Sequence, residues 1–100
     1  MLRRSVTAVV GALALVLALP GPAPAATGGF LYTAGGRPDS LLNPAGGKCV
    51  DVAKGATLPT NMTDAPATLF EEPGCESDVL TLTPGQTGGR VSFRSVRFAG

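Results

Sequence analysis

The pattern of apolar and polar positions divides the chain at Pro20. Before it, Val6 to Leu19 ("VTAVVGALALVLAL") is almost wholly apolar and uncharged. After it, apolar residues come in short pieces that alternate with polar ones and are broken by glycine or proline. Alternation with period two sends successive side chains to opposite faces of a strand. "KCVDV" (Lys48 to Val52) is β-rich, and "VLTLT" (Val79 to Thr83) sets Leu80 and Leu82 against Thr81 and Thr83. "ATLF" (Ala67 to Phe70) and "VLTLT" read as the arms of a hairpin. Its turn is the acidic "EEPGCESD" (Glu71 to Asp78), and Pro84-Gly85 closes the second arm.

The remaining stretches are punctuated more densely. Ala26 to Gly47 carries Gly28-Gly29, Gly35-Gly36, Pro38, Pro44 and Gly46-Gly47 around "FLY" and "SLL", which predicts loops with at most one short strand. "AKGATLPTNMTDAP" (Ala53 to Pro66) reads as connecting turns around at most one extended piece. In the last strand Val91 and Phe93 share one face while Val96 and Phe98 share the other, so a β-bulge is expected near Arg94 or Ser95. No i, i+3, i+4, i+7 apolar stripe occurs after Pro20, and no window free of glycine and proline is long enough for a clear helix. The expected fold is therefore all-β, a small Greek-key sandwich or barrel-like arrangement.

The uniform apolar run has the grammar of a secretory leader. Arg3 and Arg4 precede it, Pro20 stops it, and Ala23-Pro24-Ala25 fits the small-x-small cleavage rule. It is also shorter than the roughly 20 apolar residues needed to span a bilayer. The reading is a signal peptide over residues 1–25, cut after Ala25 or Ala26, then a Gly/Pro-rich segment over 26–47 and a β-rich core over 48–100. The exported chain is expected outside the cell, with no membrane span once the leader is removed.

Removing the leader changes the charge balance. Six basic residues (Arg37, Lys48, Lys54, Arg90, Arg94, Arg97) then face seven acidic ones, without a basic stripe. Nucleic acid is excluded as a partner, because neutralising phosphates supplies most of that affinity. About 75 residues make one domain with a small core. Cys49 and Cys75 are the two cysteines, and in an oxidising compartment they read as one disulfide.

Candidate chemistry is sparse. The chain has no histidine, which removes Ser-His-Asp and Cys-His arrangements, and two cysteines alone cannot complete a four-ligand zinc site. Glu71, Glu72, Glu76 and Asp78 cluster at one turn. A carboxylate pair could serve a glycosidase and loop oxygens could hold calcium, but a solvated turn explains them better. Asn61-Met62-Thr63 fits a glycosylation sequon, with an Asx turn the favoured reading. Gly46-Gly47-Lys48 lacks P-loop spacing. No catalytic residue, metal or cofactor is assigned. The candidate binding positions are exposed connections: Lys54, Gly55, Leu58 and Pro59 in one, Glu71, Glu72 and Pro73 in the other. Either could face a protease with its conformation fixed by a nearby disulfide.

"NMTDAPATLFEEPGCESDVLTLTPGQTGGRVSFRSVRF" (Asn61 to Phe98) resembles the small secreted actinobacterial proteins of β/γ-crystallin-like fold, a group that includes a metalloproteinase-inhibitor family. Phe70, Cys75, Pro84-Gly85, Phe93 and Ser95-Val96-Arg97 fill the recurring places in order, and Cys49 in "GKCVDV" looks like the partner cysteine. Two positions depart from the pattern. Ser77 stands where the crystallin signature has a glycine for a positive φ, and the paired Asn/Asp calcium ligands are missing before Ser95. The resemblance implies a non-catalytic β domain, either a protease inhibitor acting through an exposed loop or a module that binds an envelope component without inhibiting.

Overall fold

The computed structural model describes residues 25–100. The leader reading falls on residues outside the described ones. Six strands form one antiparallel sheet: β1 (Gly28–Ala34), β2 (Arg37–Leu42), β3 (Cys49–Thr63), β4 (Ala67–Glu72), β5 (Glu76–Leu82) and β6 (Phe93–Phe98). Their order across the sheet is β2-β1-β3-β6-β4-β5, and the described residues contain no helix.

β3 organises the sheet because its two ends pair with different neighbours. Ala56 to Thr63 lies against β1, whereas Cys49 to Asp51 lies against β6. Two register breaks separate these parts. Asp51 pairs with Ser95 and Ala56 with Phe93, so Val52 to Gly55 bulges out opposite Arg94. Farther on, Leu58 and Pro59 stand against Tyr32 alone, since Leu31 pairs with Thr60 and Thr33 with Thr57. Bulges bend a strand and increase its twist. β1 and β6, which flank β3 on opposite sides, thereby bring their rings together.

Phe30 is the centre of that meeting. Its ring lies 5.4 Å from Phe98 and 6.0 Å from Phe93, both edge-on, and 6.0 Å from Tyr32. Edge-to-face pairs of this kind are favoured by the ring quadrupole beyond the area they bury. Ala26, Val52, Ala56, Ala67, Leu69, Leu82 and Val96 complete the buried core around the four rings.

Three readings of the sequence are corrected here. Segment 26–47 is no loop region with at most one strand: it supplies β1 and β2. Gly35 and Gly36 both adopt positive φ (59° and 77°) and form their two-residue turn, the conformation that a tight hairpin demands. Nor is Ala53 to Pro66 a set of turns, since most of it is continuous β3. Gly55 (φ 87°) and Pro59 mark bulges within that strand, where a missing side chain or a missing N–H is tolerated. The expected irregularity of the last strand does fall at Arg94, but the extra residues belong to β3 and β6 itself is continuous.

One ionisable group sits inside this core. Burial pushes the Tyr32 hydroxyl above its ordinary 10.0, and the carboxylate of Asp39, its cross-strand partner, raises it further by charge and by favouring the neutral donor. The unfolded chain gives up that proton near pH 10.0 while the folded one holds it. Stability contributed by Tyr32 is thus complete below pH 10.0 and falls as pH rises toward the folded value. Tyr32 is the only tyrosine, so its ultraviolet titration reports it alone. The native midpoint should lie above that of the denatured chain, and Asp39→Asn should recover only part of the difference, because burial is the larger cause. Equal midpoints in the native and denatured chains would refute the burial of this ring.

Candidate functional site

The acidic run Glu71 to Asp78, read from the sequence as a turn, is mostly strand: Glu71 and Glu72 end β4, Glu76 to Asp78 begin β5, and only Pro73 to Cys75 turns, in a hairpin end folded back over the sheet. Gly74, Cys75 and Ser77 all lie in the left-handed region (φ 75°, 61° and 62°), which reverses the chain between β4 and β5 and carries the tip toward β3 and β6. Three kinds of attachment hold it there. Cys75 is bonded to Cys49 at the start of β3, with 5.9 Å between their Cα atoms. The Gly74 N–H donates to Asp51 Oδ1 at 2.8 Å. Ser95 Oγ accepts from the Cys75 N–H at 2.9 Å and donates to the Glu72 carbonyl at 2.6 Å.

Ser95 explains why both faces of β6 are covered. It is fully buried under the folded tip, while Val96 and Phe98 fill the core from the other parity. Phe70, its pair on β4, lies under the guanidinium of Arg97 at 5.6 Å. Glu71, Glu72, Pro73 and Glu76 remain exposed on the outside of the hairpin. Glu72 and Glu76 face each other in register, a like-charge pair that solvent screens. The described residues contain no group of three or more acids, cysteines or histidines arranged for a metal ion.

The second candidate connection is distributed differently. Lys54 and Gly55 sit in the first β3 bulge, and together with Glu71 they line one cleft. Leu58 is half exposed at φ 56°, a conformation that costs a branched side chain about 1–3 kcal/mol and persists only where its surroundings impose it. Pro59 is buried, and its carbonyl accepts the Gly88 N–H at 2.8 Å. The segment from Ala56 to Thr60 is thus held on one side by β1 and on the other by Gly88 and the Thr60–Thr87 bridge. It is a paired strand, and of this connection the bulge at Val52 to Gly55 stands free of the β6 ladder.

Asn61 is a structural hub. Its Nδ2 donates to the carbonyls of Ala65 (2.8 Å) and Leu82 (2.9 Å), and its Oδ1 accepts from the Thr63 N–H and hydroxyl. These are the contacts of an Asx turn. The side chain is fully buried, so the folded domain offers no acceptor for a glycan at this position.

Asp51, Arg90, Val91 and Arg94 were not among the sequence candidates. The parity break pointed to Arg94, but nothing in residue order indicates that the β3 bulge faces it. Comparison of the chain with models of known protein families, with curated proteins and with solved structures finds no match.

Proposed function

We propose that the chain is a secreted, non-catalytic binding domain of β/γ-crystallin-like fold that inhibits an extracellular protease through the Glu71–Ser77 hairpin. The observation that carries this reading is the hairpin itself: its tip is exposed, while its backbone is tied down by the disulfide, Asp51 and Ser95. A loop already fixed in one conformation binds with little ordering cost. It also resists relaxing after attack by the enzyme it occupies. The paired Ala56–Thr60 segment lacks that freedom to enter an active-site cleft, which favours the hairpin over the other connection.

Two features support the crystallin-like assignment. Ser77 adopts the positive φ for which the signature carries glycine. The strand order also repeats itself: β2-β1-β3 and β5-β4-β6 each set a hairpin beside a third strand that pairs with the hairpin's first arm. A return strand set beside the first arm of a hairpin is a feature that this repeated order shares with Greek-key folds.

A panel of secreted metallo-, serine and cysteine proteases, titrated with the oxidised domain, tests the function. Stoichiometric inhibition of one class at equimolar protein, weakened by substitution of Glu72 or Pro73, is the expected result. No inhibition across the panel would overturn it. The conclusion would then pass to a module that binds an envelope component without inhibiting, a reading favoured by the exposed aliphatic side chains of Leu31, Leu42 and Met62.

A further inference from the structure

The bulge that interrupts β3 opens a groove bordered by Glu71 at the end of β4, Val79 on β5 and the run from Val91 into β6. One cleft of 510 Å³ has Lys54, Glu71, Val79, Val91 and Arg94 in its walls. A second, also 510 Å³, is bounded by Leu58, Thr57 and Arg90. Gly55 and Ser92 belong to both, so the two are continuous. Three of the six basic residues that follow the leader line this groove, against one carboxylate, Glu71. The other six acids lie elsewhere, so the groove is positive on a domain that is otherwise negative.

Arg94 distinguishes this groove from a chance grouping of surface cations. It occupies the register gap opposite the bulge, and its Nε is buried without any hydrogen-bond partner. A buried donor left unpaired is costly, and most such groups in folded proteins find an acceptor. Part of the desolvation that an ion pair ordinarily requires has therefore already taken place in the fold. An arriving oxyanion that draws the guanidinium into a paired geometry gains a charge-assisted hydrogen bond that water does not supply.

The rest of the lining indicates what carries the oxyanion. Val79 and Leu58 are 44% and 48% exposed, and Val91, which lines the first cleft with Val79, is half buried. A phosphate polymer would leave these aliphatic walls unused, and so few cations make a weak electrolyte trap. We propose that the groove binds an acidic, apolar peptide segment of a protein partner, with a carboxylate at Arg94 and Lys54, a second near Arg90, and aliphatic side chains against Val79, Val91 and Leu58. The proposal stands whether or not the hairpin is inhibitory.

The test uses the oxidised domain and a fluorescein-labelled Glu-Val-Val-Glu peptide, with Gln-Val-Val-Gln as the neutral control. Anisotropy at low salt should show binding of the acidic peptide alone. Lys54→Gln and Arg90→Gln should each weaken it by about 2–5-fold, as expected for exposed charges, and the double variant by the product. Arg94→Gln should weaken it by about tenfold or more. Glu71→Gln should strengthen it by about 2–5-fold, a change of opposite sign that loss of folding does not produce. Equal binding of the neutral peptide, indifference to the Lys54 and Arg90 double variant, or preference for a glycerol-phosphate oligomer over the peptide would each overturn the assignment.

Discussion

Phe30→Ala will leave this domain close to unfolding at physiological temperature. Phe30 is fully buried and contacts three other rings drawn from β1 and β6. Truncating a buried phenylalanine costs about 3–5 kcal/mol, because the removed carbons lose their transfer energy and the surroundings collapse only in part. A domain of about 75 residues has roughly 4–11 kcal/mol to lose. Collapse is especially hindered here, since Phe93 and Phe98 come from one strand and are fixed relative to each other. Thermal unfolding followed by circular dichroism should show a fall of about 12–40 °C. Leu31→Ala, on the same strand but facing solvent, should stay within about 0.5 kcal/mol of the parent. A loss below about 1 kcal/mol for Phe30→Ala would mean that the core is not organised around this ring.

How much of this was legible beforehand depended on whether the relevant signal was local. The β4-β5 hairpin could be read because Leu80 and Leu82 alternate with threonine, and the all-β class followed from the absence of helical period. β1, β2 and the length of β3 were obscured by glycine and proline. In isolation Gly35-Gly36, Gly55 and Pro59 read as breakers. In the fold one pair makes a hairpin turn and the other two sit in bulges, a difference decided by neighbouring strands. The parity of Val91, Phe93, Val96 and Phe98 did locate a discontinuity, yet it could not say which of two paired strands held the extra residues.

The candidate sites follow the same division. Glu71 and Glu72 were visible as acids whose charge keeps them exposed, but they extend β4, and the turn itself is only Pro73 to Cys75. The immobilisation of this hairpin depends on Asp51 and Ser95, which lie 20 or more residues away along the chain from the backbone groups they bind. Lys54 and Gly55 were visible as a break, while Arg90 and Arg94 meet them only because β6 pairs with the start of β3. Contacts of that kind arise from register, and register is settled by burial on both strands at once.

The disulfide supplies the other large effect. Cys49 and Cys75 enclose 26 residues of separation, and closing a loop of that length contributes about 3.5 kcal/mol by restricting the unfolded chain. The segment it closes includes nearly all of β3 and the whole of β4. In the unfolded state the cross-link therefore brings the sheet's central strand near the hairpin that must dock on it. Replacing both cysteines with alanine should lower the melting temperature by about 14–28 °C. The far-ultraviolet spectrum should remain that of a β protein at low temperature, because the core around Phe30 does not include either cysteine. Asp51 and Ser95 continue to hold the folded tip, so its amide protons should exchange faster than in the parent yet slower than in the unfolded chain. A variant that melts within about 2 °C of the parent would refute the cross-link as a major source of stability. One that loses its β spectrum altogether would show that the fold depends on the disulfide more than on the aromatic core.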